Sequence, residues 1–283
     1  MPTFRGNVGN LLQHWVLCEV LAASGKYHEQ ILFVDAYSMA PLANERPKRD
    51  GTAHLFDCVR HRLPGEKTTY EEAWHRSGVA LSGYPNSAAL LTAVWKGRYS
   101  LVLCEWDQAT VQHLELWANE RKQSPNCIDV EVAAGDWRNR FRRPLPGLDA
   151  LTFFSFDPDM FDRHGAGRNP RNMDPQDLER LVEAFQPIPG RILVQLSTYS
   201  ANNGNGQSEV SKVVTDHLGR AGLQLMAKVR TDGQMMSLVL GRDIEFASMI
   251  SPLPALFDSW LGRVRAKCQN QSSGAHADGP SQA

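Results

Sequence analysis

The stretch "LTFFSFDPDMF", Leu151–Phe161, is uncharged for six residues and then breaks on Asp157, Pro158 and Asp159. A short, continuous, largely apolar run suits a strand covered on both faces, as in a parallel sheet. Six more runs of this kind recur: 30–37 (QILFVDAY), 99–106 (YSLVLCEW), 127–137 (CIDVEVAAGDW), 190–199 (GRILVQLSTY), 223–229 (LQLMAKV) and 234–241 (QMMSLVLG). Helical patterns fall between them, at 10–24 before the first, 107–123 after the second, 174–185 before the fifth and 208–222 before the sixth. Strand and helix alternating in this way predict an α/β fold, with a mostly parallel seven-stranded sheet and helices on both faces. Only "RTDG" separates the last two strands, which predicts a hairpin and one antiparallel strand at the end of the sheet.

The rest of the chain qualifies this picture. The segment from about 41 to 98 is polar, with two short helical patterns, and reads as a helical insertion after the first strand. Ser200 to Glu209 is rich in Asn and Gly and reads as a loop, and 265–283 lacks apolar periodicity and reads as a disordered tail behind one domain of residues 1–264. At 283 residues and 42% apolar content the chain can bury one sizeable core. No apolar run approaches the roughly 20 residues that span a bilayer. The first residues, "MPTFRGNVGN", do not form the apolar core of a signal peptide, so a cytoplasmic location and no membrane partner are expected. Five scattered cysteines suggest neither disulfides nor a zinc site, and a monomer or weak dimer is expected. A net charge of -1 gives no global pull on nucleic acid, but Arg138, Arg140, Arg142, Arg143, Arg163, Arg168 and Arg171 cluster in two segments. They form either a local basic face for RNA or solvated loop arginines paired with nearby acids.

In an open α/β sheet, ligands bind outside the carboxyl ends of the strands, where the strand order reverses. Those ends carry Asp35, Glu105, Asp136 and Asp157 in succession. One such acid is usually a helix N-cap. Four in a row suit a ligand rich in hydroxyl and amino donors with a cationic centre.

That row and the terminal hairpin resemble the class I S-adenosylmethionine-dependent methyltransferases, with a Rossmann-like fold. Over roughly Gly6 to Gly241 the chain is similar to ribosomal RNA adenine-N6 methyltransferases of the RlmJ type. The matching segments are "GNVGNLLQHW", "FVDAYSMAPL", "YPNSAALL", "LCEWD", "AAGDW" and "FDPDMF". The resemblance implies S-adenosyl-L-methionine as cofactor, with Asn7, His14, Asp35, Tyr37, Ser87, Glu105, Trp106, Asp136, Trp137 and Asp157 as the residues that bind it. Glu105 takes the ribose position and Asp136 the adenine position. It implies a catalytic group of Asp157, Pro158, Asp159 and Phe161, in which the acid and the proline carbonyl accept from the target amine and an aromatic ring stacks on the extruded base.

Four departures qualify the likeness. Gln13 stands where the family has a lysine beside His14, and Asn86 where it has a glycine. Ser38 and Ala40 replace the glycines of the turn after the first strand. "DPDM" replaces Asp-Pro-Pro-Tyr, leaving Phe161, one place later, as the candidate stacking ring. Amine methylation, on adenine N6 of RNA or another acceptor, is the reading these residues carry furthest. Two alternatives stand beside it: a catalytically inactive binding or scaffold protein of the same fold, and a divalent-metal site at Asp157, Asp159 and Asp162.

Overall fold

The computed structural model describes residues 3–4, 8–45, 68–78, 83–143, 145, 150–162, 169–199, 205–231 and 235–274. Its central strands are β1 (Gln30–Asp35), β2 (Arg98–Glu105), β3 (Cys127–Ala134), β4 (Leu151–Phe156), β5 (Ile192–Tyr199), β6 (Gln224–Arg230) and β7 (Met235–Arg242). They form one seven-stranded sheet in the order β6–β7–β5–β4–β1–β2–β3. Of these, β7 alone runs antiparallel to its neighbours. β1 and β4, in the middle, are buried along nearly their whole length, which is why they read as unbroken apolar runs. This is a Rossmann-like α/β fold, mostly parallel with an antiparallel hairpin at one end.

The helices are α1 (Val8–Ser24), α2 (Thr69–Arg76), α3 (Ser87–Val94), α4 (Gln108–Arg121), α5 (Pro175–Phe185), α6 (Asn205–Gly219) and α7 (Leu253–Gly274). Alternation along each strand divides the core in two. Ile31, Phe33, Leu101, Leu103, Leu151 and Phe153 face one cluster with α1, α2, α3, α4 and α7. Leu32, Val34, Val102, Phe154 and Val194 face the other with α5 and α6. Polar side chains start the helices where the sequence places them. Thr68 and Glu71 form a capping box on α2, Asp174 and Asp177 another on α5, and Asp107 caps α4.

Three expectations are corrected. The described part of the insertion holds strands as well as helices: Leu42–Glu45 pairs with Thr3–Phe4 and with Gly83–Pro85 in a small second sheet. Strands of two to four residues are too short to show a period. The Asn/Gly-rich segment becomes helical from Asn205, since α6 begins there. The expected tail begins as helix, because α7 continues to Gly274. Among the described residues no helix is long and apolar enough to cross a membrane.

Candidate functional site

The chain steps from β1 to β2 to β3 in one direction, then returns to place β4 on the other side of β1. The switch point therefore lies between the carboxyl ends of β1 and β4. Asp35 pairs in register with Leu103 of β2 and with Ser155 of β4. Glu105 and Asp157 lie two residues beyond those partners. A two-residue step preserves the side of the sheet, so all three carboxylates belong to the face covered by α1. Adjacent strands run about 4.8 Å apart, which makes this one compact group.

Its electrostatics are unusual. Asp35 is 2% exposed and Glu105 7% exposed. Burial pushes the carboxyl of Asp35 up to about 7. Burial also pushes Glu105 up to about 7, with the charges of Asp107 and then Asp35 adding to the effect. Part of Asp157 reaches solvent, yet enclosure at the rim, followed by the charges of Asp35 and Asp159, raises it above the ordinary carboxylate range. No cation is paired with Asp35, Glu105 or Asp157 among the described residues.

A pH dependence follows. An aspartate titrates near 3.9 in an unfolded chain. With Asp35 near 7 in the folded state, the native protein holds more protons than the unfolded chain between those values. Stability therefore falls as pH rises through that window, and the penalty is complete above it. Asp35→Asn is expected to stabilise the protein by about 2 kcal/mol at pH 8 and to flatten this decline. Urea unfolding at pH 5 and pH 8 checks it, and an unchanged slope would show that Asp35 is not strained by burial.

Behind the acids lies a neutral polar chain. The Tyr84 hydroxyl is 2.7 Å from Nδ1 of His14, and Ser87 Oγ is 3.3 Å from Nε2. Burial drops His14 to about 3, so the ring is uncharged. The charge of Asp157 is felt at Tyr84, which ties this chain to the acids. Three segments far apart in sequence thus meet, and the structure adds Tyr84 to the candidates. Tyr84 opens the matching segment YPNSAALL, and that match is the available sequence signal. Asn86, in place of glycine, caps α3 through the Ala89 amide at 2.8 Å and donates to the Met39 carbonyl at 2.7 Å. It joins α3 to the turn after β1. That turn needs no glycine: Asp243 is the non-glycine residue with positive φ among those described, and Ser38 instead donates its amide to the Cys104 carbonyl.

The "DPDM" departure also has a structural basis. The Asp159 amide donates to the Arg171 carbonyl at 2.7 Å, a bond that a second proline could not make. Arg171 lies over the ring of Trp106 at 4.7 Å and within 3.7 Å of the Asp159 carboxylate. Trp106 is 43% exposed beside Glu105 and is the aromatic face this rim presents.

Several expected roles are corrected. Phe161 is 2% exposed and belongs to the core, paired through Met160–Phe161 with Asn172–Met173, so its ring is not free to stack on a base. Trp137 is 2% exposed against Phe141 and Phe156, and its Nε1 donates to the Tyr37 hydroxyl at 2.9 Å. Tyr37 in turn donates to the Asn172 carbonyl and packs in the cluster opposite the carboxylates. These two rings hold each other and neither covers the acid group. Asp136 is an N-cap for the helical turn Trp137–Arg140 and pairs with Arg138 at 3.1 Å. Of the four strand-end acids it alone meets the ordinary capping expectation.

The basic face is also reduced. Arg138 makes two 2.7 Å bonds to the fully buried Asp177, and Arg140 grips Glu131 with bonds of 2.7 and 2.9 Å. Both are structural ion pairs. Arg142 and Arg143 are exposed, but they line a cleft with Leu32, on the opposite face from the carboxylates. Asn7, Arg163 and Arg168 lie outside the described residues. No group of three side chains suited to a metal ion is found among the described residues.

No protein-family model matches the chain, and a search of curated proteins finds no relative. The structure is similar to that of protein LPL1258 from Legionella pneumophila, at a TM-score of 0.57 and 14% identity, over 90% of this chain and 92% of that one. It also matches Aeropyrum pernix fibrillarin in complex with S-adenosyl-L-methionine (TM-score 0.37, 13% identity, 80% and 76% covered). A third match is a SAM-dependent methyltransferase from Aquifex aeolicus (TM-score 0.37, 11% identity, 83% and 96% covered). The Legionella likeness supports the fold. The other two superpositions are too loose to carry an inference.

Proposed function

We propose that this chain is an S-adenosylmethionine-dependent methyltransferase acting on an amine nitrogen, with adenine N6 of RNA as acceptor. One observation carries the reading: Asp35, Glu105 and Asp157 share one face and one edge at the switch point, with no cation paired to them among the described residues. Grouping acids out of water without a counter-charge is costly. A ligand that brings a positive charge with hydroxyl and amino donors relieves that cost. S-adenosylmethionine, when bound, supplies a transferable methyl group on a positively charged sulfur.

The chain's own residues divide the work. Glu105 would hold the ribose hydroxyls, and its Oε1 is fixed for this by the Asp107 amide at 2.8 Å. Asp35 would face the cationic end. Asp157 and the Pro158 carbonyl would accept from the acceptor amine and turn its lone pair forward, so that alignment supplies most of the acceleration. Neutral His14, bonded to Tyr84 and Ser87, holds the wall behind Asp157 without adding a charge that would compete with the cofactor. Trp106 and Arg171, at the rim, are the surface on which a base and its phosphate would rest.

The test is transfer of an isotopically labelled methyl group to ribosomal RNA by the purified chain, followed by nucleoside analysis. N6-methyladenosine supports the full reading. Label in another nucleoside or a small amine overturns the acceptor. Cofactor binding without transfer to any acceptor favours the inactive binding protein.

A further inference from the structure

The crossover from β3 to β4 passes over the sheet's second face, where Trp137, Phe141 and Leu145 pack. Its described residues contain one helical turn, Trp137–Arg140, about 6 Å long at 1.5 Å per residue. Beside this turn a cleft of about 660 Å³ opens, with the buried Leu32 of β1 and Thr152 of β4 at its base and Ile188 along its apolar lining. Phe141 and Leu145 wall it on one side and Ala184 of α5 on the other. This volume is typical of sites for small organic ligands.

The mouth is basic. The guanidinium groups of Arg142 and Arg143 have no hydrogen-bond or ion-pair partner among the described residues. Arg180 gives one nitrogen to Asp177 at 2.7 Å and is otherwise half-exposed. Arg138 also lines the cleft but is matched by Asp177 and Asp136. Glu183 is the acid among the described lining residues. Since Asp136 and Asp177 are answered by Arg138 and Arg180, Arg142 and Arg143 leave an excess of positive charge beside one glutamate.

We propose that this cleft binds an amphiphilic anion, with a compact alkyl or aryl body on the apolar floor and a carboxylate, phosphate or sulfonate head against Arg142 and Arg143. Arginine suits such heads because its planar fork matches their oxygens. The concave apolar floor favours a small ligand over an RNA backbone, which needs an open basic track rather than a greasy cavity. Leu32 and Asp35 point to opposite faces of β1, so this ligand and the proposed cofactor would not compete.

A fluorescence titration with 8-anilinonaphthalene-1-sulfonate, followed by displacement, tests it. Saturable binding at one site is expected, with decanoate displacing the probe at concentrations about tenfold below those needed for decanol or inorganic phosphate. Arg142→Glu with Arg143→Glu is expected to weaken the probe at least tenfold, and Ala184→Trp, which fills the cleft, to abolish binding. The charge-reversed pair lies on the surface and keeps the test valid if the tryptophan variant does not fold. The proposal is overturned by non-saturable binding, by decanol matching decanoate, by indifference to the arginine changes, or by a short single-stranded RNA displacing the probe where decanoate does not.

Discussion

Glu105→Ala is expected to weaken binding of S-adenosylmethionine about a hundredfold while leaving the fold as stable as before, or more so. The two effects have one cause. Glu105 is buried with its carboxyl raised to about 7, so its charge is a strain on the folded chain until a ligand donates to it. Losing two hydrogen bonds to a charged acceptor costs roughly 3 kcal/mol, which is about two orders of magnitude in affinity. Removing the carboxylate also removes its burial penalty, so the stability change runs the opposite way. Calorimetric titration beside urea unfolding separates these readouts. A structural glutamate would show the reverse pattern: lost stability, because Asp107 and α4 lose their partner, with affinity little changed.

The second large effect belongs to Arg138, whose value is entirely structural. Its guanidinium joins Asp177 at the start of α5, Asp136 after β3 and the Asn172 carbonyl after β4, and it lies 5.0 Å from the Trp137 ring. Asp177 is fully buried, and its remaining partners would be Arg180 and the Asp174 amide. Arg138→Met is therefore expected to cost about 3–5 kcal/mol, because a buried carboxylate is left largely uncompensated. In a chain of this size that lowers the melting temperature by roughly 6–20 °C. Arg138→Lys should recover only part, since an ammonium cannot repeat the paired bonds. A loss below about 1 kcal/mol for Arg138→Met would mean that Arg180 alone neutralises Asp177.

These two residues mark what sequence reading can and cannot reach. The strands around β1 and β4 were legible because burial on both faces forces continuous apolar runs, and the end of such a run locates Asp35, Glu105 and Asp157 on the ligand edge. Residue type alone could not separate Asp136 from that trio. An acid just past the end of a strand is equally a cap or a ligand, and the one-turn helix behind Asp136 decides the matter. Trp137 is expected to bind the cofactor and Phe161 to stack on a base, and the sequence hides that both are core rings because their partners Tyr37, Phe156 and Met173 come from other segments. The sequence leaves Arg138 and Arg140 open between a basic face and arginines paired with acids, and the structure shows them paired, with Asp177 and Glu131, 39 and 9 residues away. Two substitutions that looked like damage, Asn86 and Asp159, each supply a backbone or capping bond that the expected glycine or proline lacks.

The central claim is that ionised carboxylates at the switch point recognise a sulfonium nucleoside. Calorimetry of S-adenosylmethionine and of its demethylated product at pH 8 and pH 6 tests it most directly, because only the first ligand carries the positive sulfur. Tighter binding of S-adenosylmethionine at pH 8 is predicted, with the preference shrinking at pH 6 as Asp35 and Glu105, both near 7, take up protons. Failure of the folded chain to bind either ligand, or a preference that does not change with pH, would contradict it.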